Sequence, residues 1–391
     1  MKYFSKVRIT DGKMDETIFT RDNEAVHYDN VKFASVLEYG AKGDGTTDDT
    51  TAISNAVNSG LPVYFPVGRY LVSSPITPAT AGQMFFGAGW GSTIVYSGTS
   101  AFNCNGVARI YITNLNIEED NPHRESGYAI ANMTGQDCHV HRVKIAAYHG
   151  IEHGSNSGIV SDCPIRCVGN GIKIYNGDNT ETVENCIIGS YDFNGAPDNG
   201  NGIIVETGAC ANLKNVSTLL KGAGVRFTGT FSSFNATQCW FDSSYYGFHF
   251  DNGSATYRTR INNCWFSSRE SDVRIVGNIN GLWFDNCEFF RGRLRAIRAE
   301  PNAVINNLNV TNSFFTSSEG DQAIDLFFAN SVTNIIINGN NFTPYDTGIG
   351  YSIAVAISDS ASGIICGNCM RGIATPVSGA GANMTVSNNA V

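Results

Sequence analysis

A six-residue pattern of apolar and polar positions returns along most of this chain. Residues 261–266 read "INNCWF" and residues 284–289 read "FDNCEF". With the Cys of each as position zero, positions −3, 0 and +2 are mostly apolar and position −1 is most often Asn. The same order recurs as "ITNLNI", "VHRVKI", "VSDCPI", "VENCII", "LKNVST", "ATQCWF", "VTNSFF", "INGNNF", "ICGNCM" and "VSNNAV". Position zero falls on Leu115, Val143, Cys163, Cys186, Val216, Cys239, Cys264, Cys287, Ser313, Asn340, Asn368 and Asn389. The separations run from 20 to 30 residues, mostly 23 to 28. A repeat of that length is one supersecondary unit that cannot bury its own apolar face, so the units must stack into a solenoid.

Val, Ile, Phe and Thr dominate each repeat, with Gly and Asn between them, which is strand and turn chemistry. Helical spacing at i, i+3 and i+4 is missing, and so is the regular Leu of leucine-rich repeats. The step from −3 to 0 breaks strict alternation, so a corner lies between. Asn tolerates the left-handed backbone of a sharp corner. It stands at −1 as Asn114, Asn185, Asn215, Asn263, Asn286, Asn312 and Asn388. Stacked rungs would bring these amides into hydrogen-bond reach of one another. The pattern therefore predicts an all-β parallel β-helix in which each hexad is a strand end, a corner and the next strand start. Twelve rungs at roughly 4.8 Å give a rod roughly 50–60 Å long. The last hexad runs to Val391, so that end needs cover from partner chains unless the chain is cut from something longer.

Composition narrows the partners. Charged residues make up 16% of the chain and the net charge is −9, which argues against nucleic acid as a ligand. No apolar run approaches the ~18 residues of a membrane span. The N-terminus "MKYFSKVRITDGKMDE" lacks the apolar core of a secretion signal. Of the 11 Cys, "CGNC" at 366–369 comes nearest to a metal motif, but no second Cys or His pair follows. Buried reduced thiols are the expectation, with no metal and no cofactor. Inward-facing neighbours on stacked rungs offer poor geometry for disulfides.

Residues 33–76 read "FASVLEYGAKGDGTTDDTTAISNAVNSGLPVYFPVGRYLVSSPI". A Gly/Asp turn leads into a short helix that Asp48 or Asp49 would cap, with Ile53, Ala56 and Val57 as its apolar stripe. This stretch resembles the N-terminal signature of the pectate-lyase-like superfamily, as found in bacteriophage tailspikes and polysaccharide depolymerases. The matching residues are Gly40, Ala41, Gly43, Asp44, Gly45, Asp48, Asp49, Pro66, Gly68 and Tyr70, and "GAGWGSTIVY" at 87–96 resembles the family's first rung. The resemblance implies a right-handed parallel β-helix with a capping helix, a homotrimer, a place in the virion tail and a bacterial surface polysaccharide, capsule or O-antigen, as substrate. Residues 1–32 would then be an arm or a short attachment segment to phage tail or baseplate proteins. Residues 33–391 would be the β-helix, with its cap at 33–76. Pectin-degrading relatives fit poorly: "YHGIEHG" and "RVK" are isolated look-alikes in the wrong order, and "NTD" is missing.

Aligned hexads put Trp240, Trp265, Glu288 and Phe314 in one outward column at +1. Exposed aromatics there suit either sugar stacking or a subunit contact. Trp283 and Asp285 should face out just before the Asn286 corner. Glu270, Arg293 and Glu319 at +6, and Asp272, Arg295 and Asp321 at +8, read as a carboxylate–guanidinium ladder. Glycosidic hydrolysis needs an acid and a base or nucleophile. Glu288 beside Trp265 is the expected acid and Asp285 the expected base, with Glu270 and Glu319 as the second pair. Trp240, Trp265, Trp283, Arg293 and Arg295 are the expected sugar contacts. A lyase, a non-catalytic glycan binder and a structural tail component are the alternatives. Tyr148, His149 and His153 of "YHGIEH" could serve β-elimination, although a single helical turn with surface His is the plainer reading. The long "SYDFNGAPDNGNG" stretch at 190–202 reads as a surface loop or binding lip.

Overall fold

The computed structural model describes residues 5–390 except 11–12, 20–24, 123–124, 126, 176–179, 191–199, 291–294, 317–323, 329–331, 344–352, 359, 371–372, 374 and 380, and for 5–31 it describes backbone pairing alone. The rod is a parallel β-helix of about twelve turns in which each turn visits three sheets. The first sheet holds the strands before the hexad corner, such as Thr259–Asn262 and Asn278–Asp285. The second holds those after it, such as Trp240–Asp242, Trp265–Ser267 and Glu288–Phe290, thirteen strands in all. The third has twelve strands, among them Ala223–Phe227, Tyr246–Phe250, Ser271–Ile275 and Arg295–Ala299.

The corner is left-handed, as the Asn pattern predicts. Asn114, Asn185, Asn215, Asn263, Asn286, Asn312 and Asn388 have φ between 50° and 54°. Arg142, Asp162 and Gln238 fill the same position at φ 52°, 54° and 55°, so the stack imposes the conformation even where Asn is missing. Amides pair along the edge: Asn215 donates to Asn185 at 2.9 Å and Asn286 to Asn263 at 3.3 Å. A β-branched side chain at such a φ costs roughly 1–2 kcal/mol. Asn263→Val should therefore lower stability by about that much, whereas Asn263→Gly should lose only the ladder bond. Urea unfolding of both variants checks this.

Position zero has its own logic. Each Cys thiol donates to the carbonyl two residues earlier: Cys163 to Ser161 at 3.1 Å, Cys186 to Glu184 at 3.3 Å, Cys264 to Asn262 at 3.4 Å and Cys287 to Asp285 at 3.4 Å. Ser313 makes the same bond to Thr311 at 2.8 Å. Asn368 repeats it with its amide to Cys366 at 3.0 Å. The small inward donor fills the second lone pair of a carbonyl that already accepts the corner N–H one rung earlier, as Ser161 does from Arg142 at 3.0 Å and Asp285 from Asn263 at 3.1 Å. All eleven thiols are free. At +2, Phe241, Phe266, Phe289, Phe315 and Phe342 stack through the core with centroids 5.1, 5.0, 4.7 and 4.7 Å apart.

The helix Thr50–Asn58 buries Ile53, Ala56 and Val57 over the open end of the rod. Gln83 ties it down, donating to the carbonyls of Val57 at 2.8 Å and Leu61 at 3.0 Å. Asp48 accepts from the Thr50 N–H at 3.0 Å, while Asp49 turns back to hold the N–H groups of Lys42 and Gly43. Residues 5–31 form a separate three-stranded antiparallel sheet, Ser5–Thr10, Lys13–Phe19 and Ala25–Val31. "HGIEH" is a strand of the third sheet, His149–His153, and not a helical turn, because Ile151 and His153 are needed inside the coil.

Candidate functional site

Alternation sends one residue from the middle of each third-sheet strand outward. Register aligns Lys173, Ile204, Arg226, His249, Arg274, Arg298 and Phe327 on successive rungs. Carboxylates beside this column come from Glu206, Asp251 and Glu300 just after three of the strands, Glu270 just before one, and Glu152 in register with Lys173. Lys173 lies 3.4 Å from Glu152 and 3.5 Å from Glu206. Arg226 meets Asp251 at 3.0 Å and Arg274 meets Glu300 at 2.9 Å. Arg298 joins two acids, Glu300 at 3.1 Å and Glu270 at 3.6 Å. Arg274 also donates to the Tyr246 hydroxyl at 2.9 Å, with its guanidinium 5.2 Å from that ring. His249 packs on Tyr246 at 4.8 Å. Beside these groups runs a groove of about 320 Å³ lined by Gly200, Asn201, Gly222, Arg226, Tyr245, Tyr246 and His249.

Burial tunes the column. It pushes the Tyr246 hydroxyl up to about 12, against the pull of Arg274, so the phenol keeps its proton at neutral pH. His249 is lowered to about 4, first by burial and then by Arg274 and Arg226, against the pull of Asp251. Further along, His149 stacks on Tyr128 at 4.7 Å and accepts the Asn170 N–H on Nδ1 at 2.8 Å. That bond fixes the tautomer with hydrogen on Nε2. Burial and Lys221 bring His149 down to about 4 as well. Both imidazoles have native values below the ordinary 6.5. The unfolded chain therefore binds protons first as pH falls, and stability present above pH 6.5 should be lost progressively towards pH 4. Urea midpoints across that window test this, and His249→Phe should flatten the profile.

Glu270 and Arg295 lie on the third-sheet face. Arg295 aligns with Ser271 and not with Asp272, and its guanidinium stacks over Phe327 at 3.9 Å. Asp272 is fully buried and accepts the Ser268 N–H at 2.9 Å. The Asp272–Arg295 part of the ladder is thereby corrected: the acid faces inward, and Arg298 reaches Glu270 in its place. Arg293, Glu319 and Asp321 lie outside the described residues, as does most of the 190–202 loop.

Around the Asn corner, the second sheet carries the expected outward column. Trp240, Trp265, Glu288 and Phe314 are in register, and the two indoles sit 4.5 Å apart. Trp240 is 50% exposed and Phe314 is 54% exposed. On the first sheet, Trp283 lies under the Arg260 guanidinium at 5.6 Å, in a groove of about 620 Å³ that also holds Asp285. Asp285 accepts from Thr311 at 2.8 Å, Asn312 at 2.9 Å and Asn262 at 3.4 Å, and so joins the corner ladder. Asp285 and Glu288 thus stand on opposite flanks of Asn286.

Glu300, Arg274, Tyr246, His249 and Asp251 escaped sequence reasoning. A signal for the column was present: "IKI", "VRF", "FHF", "VRI" and "IRA" each set one charged or titratable residue between two apolar ones, once per repeat.

A parallel β-helix with a polar, aromatic-edged outer face defines the class. Residues 33–289 match the family described as "Rhamnogalacturonase A/epimerase, pectate lyase-like", and the chain belongs to that family. The pre-neck appendage protein of Bacillus phage B103 is 27% identical over 191 residues, 39% of this chain and 22% of that protein. The fold is shared with tailspike protein 3 of bacteriophage CBA120, at TM-score 0.67 and 15% identity over 94% of this chain and 64% of that one. It is also shared with the A-module of a mannuronan C-5 epimerase from Azotobacter vinelandii, at TM-score 0.54 and 14% identity over 91% of this chain and 98% of that one. The chain spans between 4% and 22% of the length of the curated relatives it matches.

Proposed function

We propose that this chain is the glycan-binding and glycan-cleaving β-helix of a phage tailspike-like protein, acting on a bacterial surface polysaccharide. The observation that carries this reading is Arg298 between Glu270 and Glu300, with Tyr246, Arg274 and His249 alongside. Hydrolysis of a glycosidic bond needs two carboxyl groups that can act on one linkage. Glu270 and Glu300 are such a pair, held by a shared guanidinium on a face long enough for several sugar units. Glu300 receives two arginines. Glu270 meets Arg298 at 3.6 Å and lies within hydrogen-bond reach of the Tyr246 hydroxyl. The other candidate pair is Glu288 as acid and Asp285 as base at the Asn corner, with Trp240, Trp265 and Trp283 as stacking surfaces. In a homotrimer the same aromatic edge would serve instead as the seam between copies. Virion attachment through residues 1–32 belongs to the same proposal.

A lyase is the second reading, favoured by His249. Its lowered value leaves it unprotonated at neutral pH, next to a protonated Tyr246, a base and an acid for β-elimination. The test is incubation with purified capsule or O-antigen, reading reducing ends and the ultraviolet absorbance of an unsaturated sugar. Reducing ends alone support hydrolysis, both signals support the lyase, and neither signal with retained binding supports a non-catalytic binder.

A further inference from the structure

Beneath the groove floor lies a buried amine–thiol pair that the proposed chemistry does not use. Lys221 is only 1% exposed. Its Nζ donates to the Cys167 carbonyl at 2.5 Å, the Gly169 carbonyl at 2.9 Å and the Cys167 Sγ at 3.1 Å. No carboxylate lies within ion-pair distance of it among the described residues. Cys167 ends the second-sheet strand Pro164–Cys167, and Lys221 lies just past the strand Ser217–Leu219, two rungs further on. None of the other ten free thiols shows an amine contact among the described residues.

The groove reaches the residue next to Lys221. Gly222, the neighbour of Lys221, lines the groove together with Gly200. The Gly222 N–H donates to the Gly200 carbonyl at 2.8 Å. A Cβ on Gly200 would stand 2.1 Å from the Gly169 carbonyl oxygen, so no side chain fits there. Glycine backbone therefore makes the part of the groove lining that is next in sequence to Lys221.

We propose that Cys167 and Lys221 form an oxidation-dependent covalent link, a modification site that ties two rungs together under the groove. A peroxide supplies the oxidising equivalents. The Cys167 sulfur attacks one peroxide oxygen, giving the sulfenic acid and one water. Once Lys221 has given one of its three donor protons to solvent, its nitrogen attacks that sulfur. The N–S bond forms, the S–O bond breaks, and the hydroxide leaves with a proton from nitrogen as a second water. The pair loses two hydrogens, sulfur is oxidised by two electrons and the peroxide is reduced by two. Burial raises the Cys167 thiol while Lys221 pulls it back, so the reaction is slow at rest and depends on the amine being in place.

The test is unreduced peptide mapping and intact mass of the folded chain after hydrogen peroxide, with catalase-quenched controls. The expected result is one linked peptide pair holding Cys167 and Lys221, lighter by two hydrogens and restored by dithiothreitol. Cys167→Ser keeps the hydroxyl near the amine and should abolish the link without unfolding the chain. Lys221→Met should let Cys167 run on to sulfinic acid if that variant folds. Either an unmodified Cys167 in peroxide-treated parent protein or an unlinked sulfinic acid in the parent would overturn the proposal. A linked pair that carries an added oxygen would overturn the direct N–S bond.

Discussion

Glu270→Gln should fold and bind glycan like the parent chain yet release reducing ends about 10²–10⁴-fold more slowly, the range for losing one positioned acid–base group. Gln keeps the size of the side chain and can still meet Arg298, so packing on the third-sheet face is retained. What disappears is the capacity to give or take a proton. Glu300→Gln should also be slow, but it removes the negative charge that two guanidinium groups share and should loosen Arg274 and Arg298 as well. A lower melting temperature in Glu300→Gln, with an unchanged one in Glu270→Gln, would separate positioning from proton transfer. Turnover measured at saturating glycan, beside thermal melts, checks both.

Glu181→Ala should lower stability by about 3–5 kcal/mol, the cost of breaking a buried ion pair from one side. Glu181 and His153 both lie inside the coil, with Nδ1 2.6 Å from Oε2. The other ring nitrogen faces the Cys138 carbonyl at 3.2 Å and must be the donor there. Nδ1 and the Glu181 carboxyl are therefore joined by a hydrogen bond that no solvent reaches. Burial raises the Glu181 carboxyl above its ordinary 4.5, while His153 pulls it back. A raised acid contributes stability that is complete below pH 4.5 and is lost as pH rises through its native value. Glu181→Gln can still donate an amide hydrogen to Nδ1, so it should cost less than Glu181→Ala and remove that pH dependence. Chemical unfolding of both variants at several pH values measures the difference.

The rod was legible because its rule is local and repeated. A left-handed residue, an inward donor and a Phe two places on recur at each corner, and each has its own physical cause. Asn263, Cys264 and Phe266 can be read off one hexad and then checked against eleven others. The groove face was less legible because loops of unequal length lie between the hexad and the third sheet. Counting from the hexad placed Asp272 beside Arg295, and one residue of slippage turned that acid into the core. Glu270 and Glu300 come from different turns and meet only through Arg298, a contact no spacing rule predicts. His153 and Glu181 are polar residues at inward positions, and sequence alone gives no sign that they answer each other across rungs.

The measurement that tests the account most directly is cleavage of a confirmed capsule or O-antigen by four matched variants of the same chain. Glu270→Gln and Glu300→Gln probe the third-sheet face, and Glu288→Gln and Asp285→Asn probe the corner. The account predicts that the first two lose cleavage while the corner variants keep it with folding intact. Full activity in Glu270→Gln and Glu300→Gln, with loss in Glu288→Gln and Asp285→Asn, would contradict it and move the chemistry to the aromatic edge.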